Sequence, residues 1–320
     1  MFSADQVART YLKEGHCERK YLDGVLHELE SFLQKQPSAS DVEIHIVGQL
    51  DPLPRDCHPA KSIIFSLSEE KRLIPRYFPK VLLVFKQHAP YLRLTRFGLI
   101  GFRPANVFPL PLGYDSHVPY HAPKPVGERP IDVFFSGSNW KSRHAFFRAA
   151  ERLKAASPWK VEVTATDSFH SGLSPEEYGR KLGNTKIALS PKGFVSTESF
   201  RMYEALRAGC VLVTVRQPKS WYRTGWPAVE VRSWSSLKRV VDALLRDEEA
   251  LAKRQQESIR WWNEKCSERA VAEVIGRTAL TYRRRPGLLA VQHAASAVIN
   301  FILAVENRVV ATGKSLVRRR

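Results

Sequence analysis

The sequence predicts an α/β protein, and three observations lead there. Short, nearly continuous apolar runs, SIIFSLS (62–68) and KVLLVFK (80–86), read as strands buried within a parallel sheet. Segments of helical periodicity alternate with such runs, the order that parallel sheets require. The chain has 320 residues, 43% of them hydrophobic, enough for one large or two medium domains with a sizeable core.

Helical patterns open the chain at 4–13 and 19–34. In the second, Leu22, Val25, Leu26, Leu29 and Leu33 recur at helical spacing. After the loop PSAS, VEIHIVG alternates apolar and polar residues and reads as a strand. The two apolar runs follow. Residues 106–130, NVFPLPLGYDSHVPYHAPKPVGERP, carry Pro109, Pro111, Pro119, Pro123, Pro125 and Pro130. Proline at this density resists helix and sheet interior, so the segment is expected to be a linker. It separates a domain of residues 1–105 from one of residues 131–282. In the second domain IDVFFSG is a strand, 142–155 a helix and WKVEVTA a strand. Residues 175–182 form a helix that Ser174 is placed to cap. TKIALSP is a strand, SFRMYEALRAG a helix and VLVTV a strand. Residues 235–245 are helical, and 248–279 read as one long helix.

The tail, 283–320, has its own pattern. Arg283, Arg284 and Arg285 precede a helix in which Leu288, Val291, Ala295, Val298, Ile302, Val305 and Val309 follow helical spacing. Gln292, His293, Ser296, Asn300 and Asn307 gather on the other side, and Arg318 to Arg320 close the chain. Such an amphipathic helix can lie in a membrane interface, its arginines reaching lipid phosphates. Equally, it can pack on the protein body or on another subunit.

A net charge of +18 favours anionic partners: nucleic acid, an anionic membrane surface or phosphorylated small molecules. No nucleic-acid-binding module accompanies the charge, so nucleic acid is not expected as a partner. Cys17, Cys57, Cys210 and Cys266 form no CxxC pair, which fits reduced thiols in a cytoplasmic protein. The opening residues are charged, so no signal peptide is expected, and no run of about 20 apolar residues suggests a membrane span. His16-Cys17 and Asp56-Cys57-His58 each supply too few ligands at familiar spacing, so no metal site is expected.

The most informative stretch is 184–215, NTKIALSPKGFVSTESFRMYEALRAGCVLVTV. A strand ends at Ser190 and opens into a loop with Pro191, Lys192 and Gly193. A helix begins near 197–199, carries Arg201 and Glu204, and stops at Gly209, a natural C-terminal cap. In a doubly wound sheet a ligand sits outside the carboxyl ends of the strands. The free N–H groups of a helix start and its partial positive charge suit a diphosphate there. Lys192 and Arg201 add cationic groups, and the Glu204 carboxylate could accept hydrogen bonds from a ribose diol. A plainer reading pairs Arg201 with Glu204 on a solvated helix face.

The pattern S-P-K-G followed by S-F-R-x-Y-E-A-L-x-A-G-C-V-x-V resembles the donor-domain signature of GT-B glycosyltransferases. It looks closest to the exostosin-like branch, within the wider resemblance to group 1 donor domains. The likeness covers most of residues 106–280, including PLGY in the linker and the tryptophan pair Trp261-Trp262. It implies two Rossmann-like domains facing a central cleft, with the C-terminal helices completing the first domain and the amphipathic helix ending the chain. It implies a hexosyl- or related transferase that needs no cofactor beyond its nucleotide diphosphate sugar donor. The family's ribose-binding glutamate maps onto Glu204 and its arginine onto Arg201. Retaining members often carry a second glutamate eight residues before the first; Ser196 stands at that position, which points to an inverting enzyme. Leu212 stands where the exostosin pattern has proline.

FFSGSNWKSRHAFF is a second strand-to-loop-to-helix transition. Ser136, Gly137 and Ser138 allow close backbone approach to a phosphate or sugar, and Arg143 opens the following helix. The resemblance implies that this loop faces the donor diphosphate. The loop 166–169 is the candidate for the base. An inverting transfer needs a general base, and His88 and Asp51, both at predicted strand ends, are the candidates. The resemblance also implies metal-independent catalysis. The expected partners are a nucleotide sugar, a glycan or lipid-linked acceptor and, through residues 286–320, an anionic surface at the inner face of the cytoplasmic membrane. Alternatives are an enzyme of the same fold with other chemistry, such as an epimerase or phosphorylase, or a basic nucleic-acid-binding protein.

Overall fold

The computed structural model describes residues 16–36, 42–48, 52–53, 55, 57–67, 73–88, 103–167, 171–193 and 196–316. Side chains at 302, 303 and 305–316 are outside the description, as are Asp51, Asp56, the helix expected at 4–13, part of the 166–169 loop and Arg318 to Arg320. The described residues fall into two compact units, one drawn from 26–111 and 272–320, the other from 14–25 and 112–271.

The first unit is built on a parallel sheet, β1 (Glu43–Gly48), β2 (Ser62–Leu67), β3 (Leu83–Lys86) and β4 (Val107–Pro109), in the order β1-β2-β3-β4. Every residue of β2 is buried, as expected for a strand covered on both faces. The apolar run 80–86 yields a strand only from Leu83. Residues 107–109 lie within the segment expected to be a linker, yet they are a strand. β4 is the last strand in the order, and Pro109 ends it opposite Lys86, so its missing N–H breaks no interior ladder.

The helix Arg19–Gln34 (α1) forms where its spacing predicts, with Leu22, Val25, Leu29 and Leu33 buried. The tail folds as one helix, Pro286–Leu316. Among its described side chains, Gln292, Ser296 and Asn300 face the protein. Gln292 accepts the Ala105 N–H through Oε1 (3.0 Å), and Asn300 both accepts from the Ile74 N–H and donates to the Ile74 carbonyl (2.8 Å each). Leu289 and Ile299 join the core of Val47, Ile64, Phe78 and Val84, and the His293 ring meets Phe78 at 5.9 Å. A loop and a chain segment with unpaired backbone groups lie opposite this face, and amide side chains satisfy them where aliphatic ones would not.

In the second unit β5 (Ile131–Ser138), the helix His144–Ala155 (α2), β6 (Val161–Thr166), Pro175–Gly183 (α3), β7 (Thr185–Ser190), Phe200–Arg207 (α4) and β8 (Val211–Val215) follow in alternation. A further strand, β9 (Val229–Val231), has too short an apolar run to show in the sequence. The sheet order is β6-β5-β7-β8-β9, all parallel. Val133, Phe135, Ile187, Leu189, Val211 and Val213 supply the sheet side of one core, with Phe146, Leu153 and Val241 packed on it. Ser174 caps α3 as expected, accepting the Glu177 N–H. Beyond Leu237–Leu245 (α5), the stretch expected to be one helix is two. Glu248–Trp261 (α6) widens into a π turn over Trp262–Cys266, and Glu268–Thr281 (α7) restarts after Ser267. Ser267 has extended backbone, and its hydroxyl accepts the Ala270 N–H (3.3 Å), so it ends one helix and caps the next.

Candidate functional site

In the second unit the strands β5 and β7 run parallel and adjacent, so Ser138 and Ser190 end on the same side of the sheet. Most of the residues predicted for the donor gather there, Glu204 apart. Arg143 closes the turn Lys141–Arg143 after β5, and its guanidinium donates to Lys192 O (Nε, 2.8 Å) and Ser138 O (Nη1, 2.9 Å). It thereby joins the two loops that the sequence suggested as halves of one site. Arg201, in the first turn of α4, donates from Nε to Ser136 O (2.8 Å). A Cβ on Gly137 would stand 2.7 Å from Arg201 Nη2, so glycine is what lets the guanidinium lie on the strand end. Gly193 is similarly tight, its hypothetical Cβ 2.9 Å from Ser196 O. The Ser190 and Ser199 hydroxyls pair at 3.2 Å, holding the strand end to the helix start.

The two guanidiniums lie 5.8 and 5.6 Å from the centroid of the Phe135 ring. Among the described residues neither forms an ion pair with a carboxylate. Burial and the neighbouring Arg201 charge push the Arg143 guanidinium down to about 10. Two close, partly desolvated cations whose recorded protein acceptors are backbone carbonyls suit an anion with several oxygens.

Glu204 does not pair with Arg201 on a solvated face. Its carboxylate is 6% exposed, accepting from the Asp115 N–H at Oε1 (3.1 Å) and from the Tyr178 hydroxyl at Oε2 (3.0 Å). Burial raises its pKa, while these donors and the Arg201 charge work against that rise. A carboxylate has roughly four lone-pair sites, so two remain for other donors. A shallow pocket lined by Tyr114, Tyr120, Leu182 and Arg207 reaches Glu204 from the last turns of α3 and α4. It therefore opens away from the strand ends that carry Arg143 and Arg201.

Glu198 is out of register by two residues with Ser196, where retaining members often carry a second glutamate. It is buried and ion-paired with Arg223 at 2.8 Å, with the Tyr222 hydroxyl at 3.0 Å and the Tyr203 hydroxyl in close contact. This glutamate fastens the loop before α4. Ser196 is buried too, and its hydroxyl accepts the Glu198 N–H (3.1 Å). Arg129, fully buried, donates to the carbonyls of Lys124, Thr185 and Ala208, tying the proline-rich segment to β7 and α4.

In the first unit His88 follows β3 and has φ +48, a left-handed backbone that costs a residue other than glycine of order 1 kcal/mol or more. It is 7% exposed, beside the buried Lys86 and Gln87. Asp51 lies outside the described residues. Among those described, Glu43, His45 and Cys57 bring potential metal-ligand atoms within 4.8 Å of one another. Within that cluster the Glu43 carboxylate pairs with His45 Nε2 (3.2 Å) and accepts from the His58 N–H (3.0 Å) and the Ser62 hydroxyl (3.3 Å), and Cys57 Sγ lies 3.2 Å from Ser62 Oγ.

Fold and geometry together describe an α/β protein with two parallel sheets and a pair of neighbouring arginines at strand carboxyl ends. No protein-family model matches the chain, and no curated protein matches it. Among solved structures it is similar to the GtfA/B complex, with a TM-score of 0.47 and 11% identity over 80% of this chain and 60% of that one. It is similar to accessory secretory protein 1,2 and 3 of Streptococcus pneumoniae, with a TM-score of 0.43 and 10% identity over 80% of this chain and 55% of that one. It is also similar to Anabaena HepE in complex with UDP, with a TM-score of 0.43 and 10% identity over 82% and 77%. The chain thus spans about 60% and 55% of the length of the first two.

Proposed function

We propose that the second unit binds the nucleoside diphosphate of an activated sugar, and that the protein is a GT-B glycosyltransferase moving that sugar to an acceptor hydroxyl. The observation that carries this reading is the pair Arg143 and Arg201, set on Ser136 to Ser138 without a carboxylate partner. A diphosphate would take their remaining N–H groups, and its leaving charge would be stabilised by guanidiniums already in place. Lys192 adds an exposed ammonium on the adjoining loop. Glu204 is left out of this donor assignment, because the pocket that reaches it lies at the C-terminal ends of α3 and α4, away from Arg143 and Arg201. We take transfer to be inverting and metal-independent, with a glycan or lipid-linked acceptor. His88 is assigned as general base on its strand-end position and strained backbone, with Asp51 the second candidate.

Calorimetric titration with UDP, GDP, ADP and CDP tests the reading: one is expected to bind at about micromolar strength. Arg201→Gln is expected to weaken it about tenfold to a hundredfold, the range for a charge-assisted hydrogen bond. His88→Ala is expected to leave binding intact and slow transfer by about 10² or more. Binding of none of the four nucleotides, or binding indifferent to Arg201→Gln, would sink the donor site. Full activity in His88→Ala would remove only the base assignment.

A further inference from the structure

The helix Pro286–Leu316 (α8) sits on its sheet the wrong way round for a helix in water. Ordinarily the apolar stripe faces the core and polar residues face solvent. Here Gln292, Ser296 and Asn300 are on the side that meets the protein, with Leu289 and Ile299 beside them. At 100° per residue, the remaining arc of 287–301 carries glycine, alanine, valine, leucine and phenylalanine, with His293 exposed at its edge beside Phe78. Val291 and Phe301 are each 70% exposed, Val298 61% and Leu288 41%, and the alanines between them keep the surface continuous. No charged residue occurs between Arg285 and Glu306. Monomeric proteins rarely leave such a contiguous apolar face uncovered.

We infer that the outward face of α8 rests on an anionic lipid surface. Charge complementarity selects this occupant. Arg283, Arg284 and Arg285 are all exposed at the start of the helix, where they reach the phosphates of headgroups flanking the apolar stripe. Arg284 is fixed there by donating to Pro79 O (2.6 Å). A second copy of the chain would bring another formal charge of +18 against the first, whereas an anionic bilayer attracts it. The helix lies along the surface: among the described residues no helix is long and apolar enough to cross a membrane. This inference does not rest on glycosyl transfer, since it uses none of the donor-site residues.

The test is flotation of the full chain with vesicles of phosphatidylcholine alone, or of phosphatidylcholine mixed with phosphatidylglycerol. Recovery with the anionic vesicles is expected to exceed that with the neutral ones by on the order of tenfold at low salt, and to fall as salt rises. Val291→Glu combined with Phe301→Glu alters only exposed side chains, so it is expected to keep the wild-type melting temperature and to lose flotation. Arg283→Glu combined with Arg285→Glu is expected to lose the preference for anionic vesicles. Absence of wild-type flotation overturns the inference, and so does equal recovery of the apolar-face variant. Sedimentation showing a dimer that the apolar-face variant dissociates would overturn it too, giving the face to a second copy.

Discussion

At the scale of single residues, the second unit handles charge in two opposite ways. Glu198 and Arg223 are buried against each other with tyrosine hydroxyls around them, so the pair is compensated and structural. Burial and the nearby Arg201 charge lower the hold of Arg143 on its proton, and the hydrogen bonds of both arginines go to backbone carbonyls rather than to a carboxylate. Glu204 stands between these cases, buried and given donors by Asp115 and Tyr178. Its raised pKa has a consequence for stability. As pH rises through the usual carboxylate range, the unfolded chain gives up this proton before the folded one does. Folding stability is therefore lost progressively up to the raised value, and the full penalty persists above it. Glu204→Gln is expected to melt higher than wild type at pH 7, with the gap closing near pH 4 as both proteins become neutral at this position. Thermal melts across that range check the sign; a gap that widens on acidification would contradict it. Arg201 and Glu204 were legible in the sequence because they share one helix. Their partners were not: Asp115 lies 89 residues from Glu204, and Tyr178 26 residues.

At the scale of elements, the segment Pro111 to Tyr114 shows how a short motif is fixed by packing. Gly113 has φ +71, and a Cβ there would meet the Tyr21 ring at 2.1 Å. Tyr21 has no room to retreat, being fully buried and donating to Cys266 O (2.7 Å). Gly113→Ala is expected to destabilise the protein by about 2–3 kcal/mol, from left-handed strain and overpacking together. Chemical denaturation measures it, and a change below about 1 kcal/mol would show that the Tyr21 ring can shift. Tyr114 beside it donates to Glu268 (2.6 Å), so the same segment reaches α7. The strands and helices of 131–215 were legible because apolar runs and capping residues are local signals. The break at Ser267 was not, because no proline or glycine marks it. β4 was obscured by the prolines around it, which are compatible with the end of an edge strand but not with an interior one.

At the scale of the whole molecule, α8 serves the first unit as well as facing outward. Removing 286–320 would delete Leu289 and Ile299 from a core and leave the Ile74 and Ala105 backbone groups without their side-chain partners. Each orphaned group that stays buried costs about 1–3 kcal/mol. The truncated chain is expected to melt at lower temperature than the full one, and an unchanged melting temperature would mean that α8 does not belong to that core. Point substitutions on its outer face are accordingly the cleaner probe of lipid binding.

The sequence by itself determined the alternation of strands and helices, the loops at Ser136 to Ser138 and Pro191 to Gly193, and the cationic residues set beside them. These follow from periodicity and chain order, which neighbouring residues encode. Only the tertiary structure decided that Arg143 bridges the two loops, that Glu204 is buried among donors from distant segments, and which side of α8 turns inward. Periodicity shows that a helix has two faces. Which of them is buried depends on what the opposing surface needs, and here that surface presents unpaired backbone groups at Ile74 and Ala105 that amide side chains can satisfy.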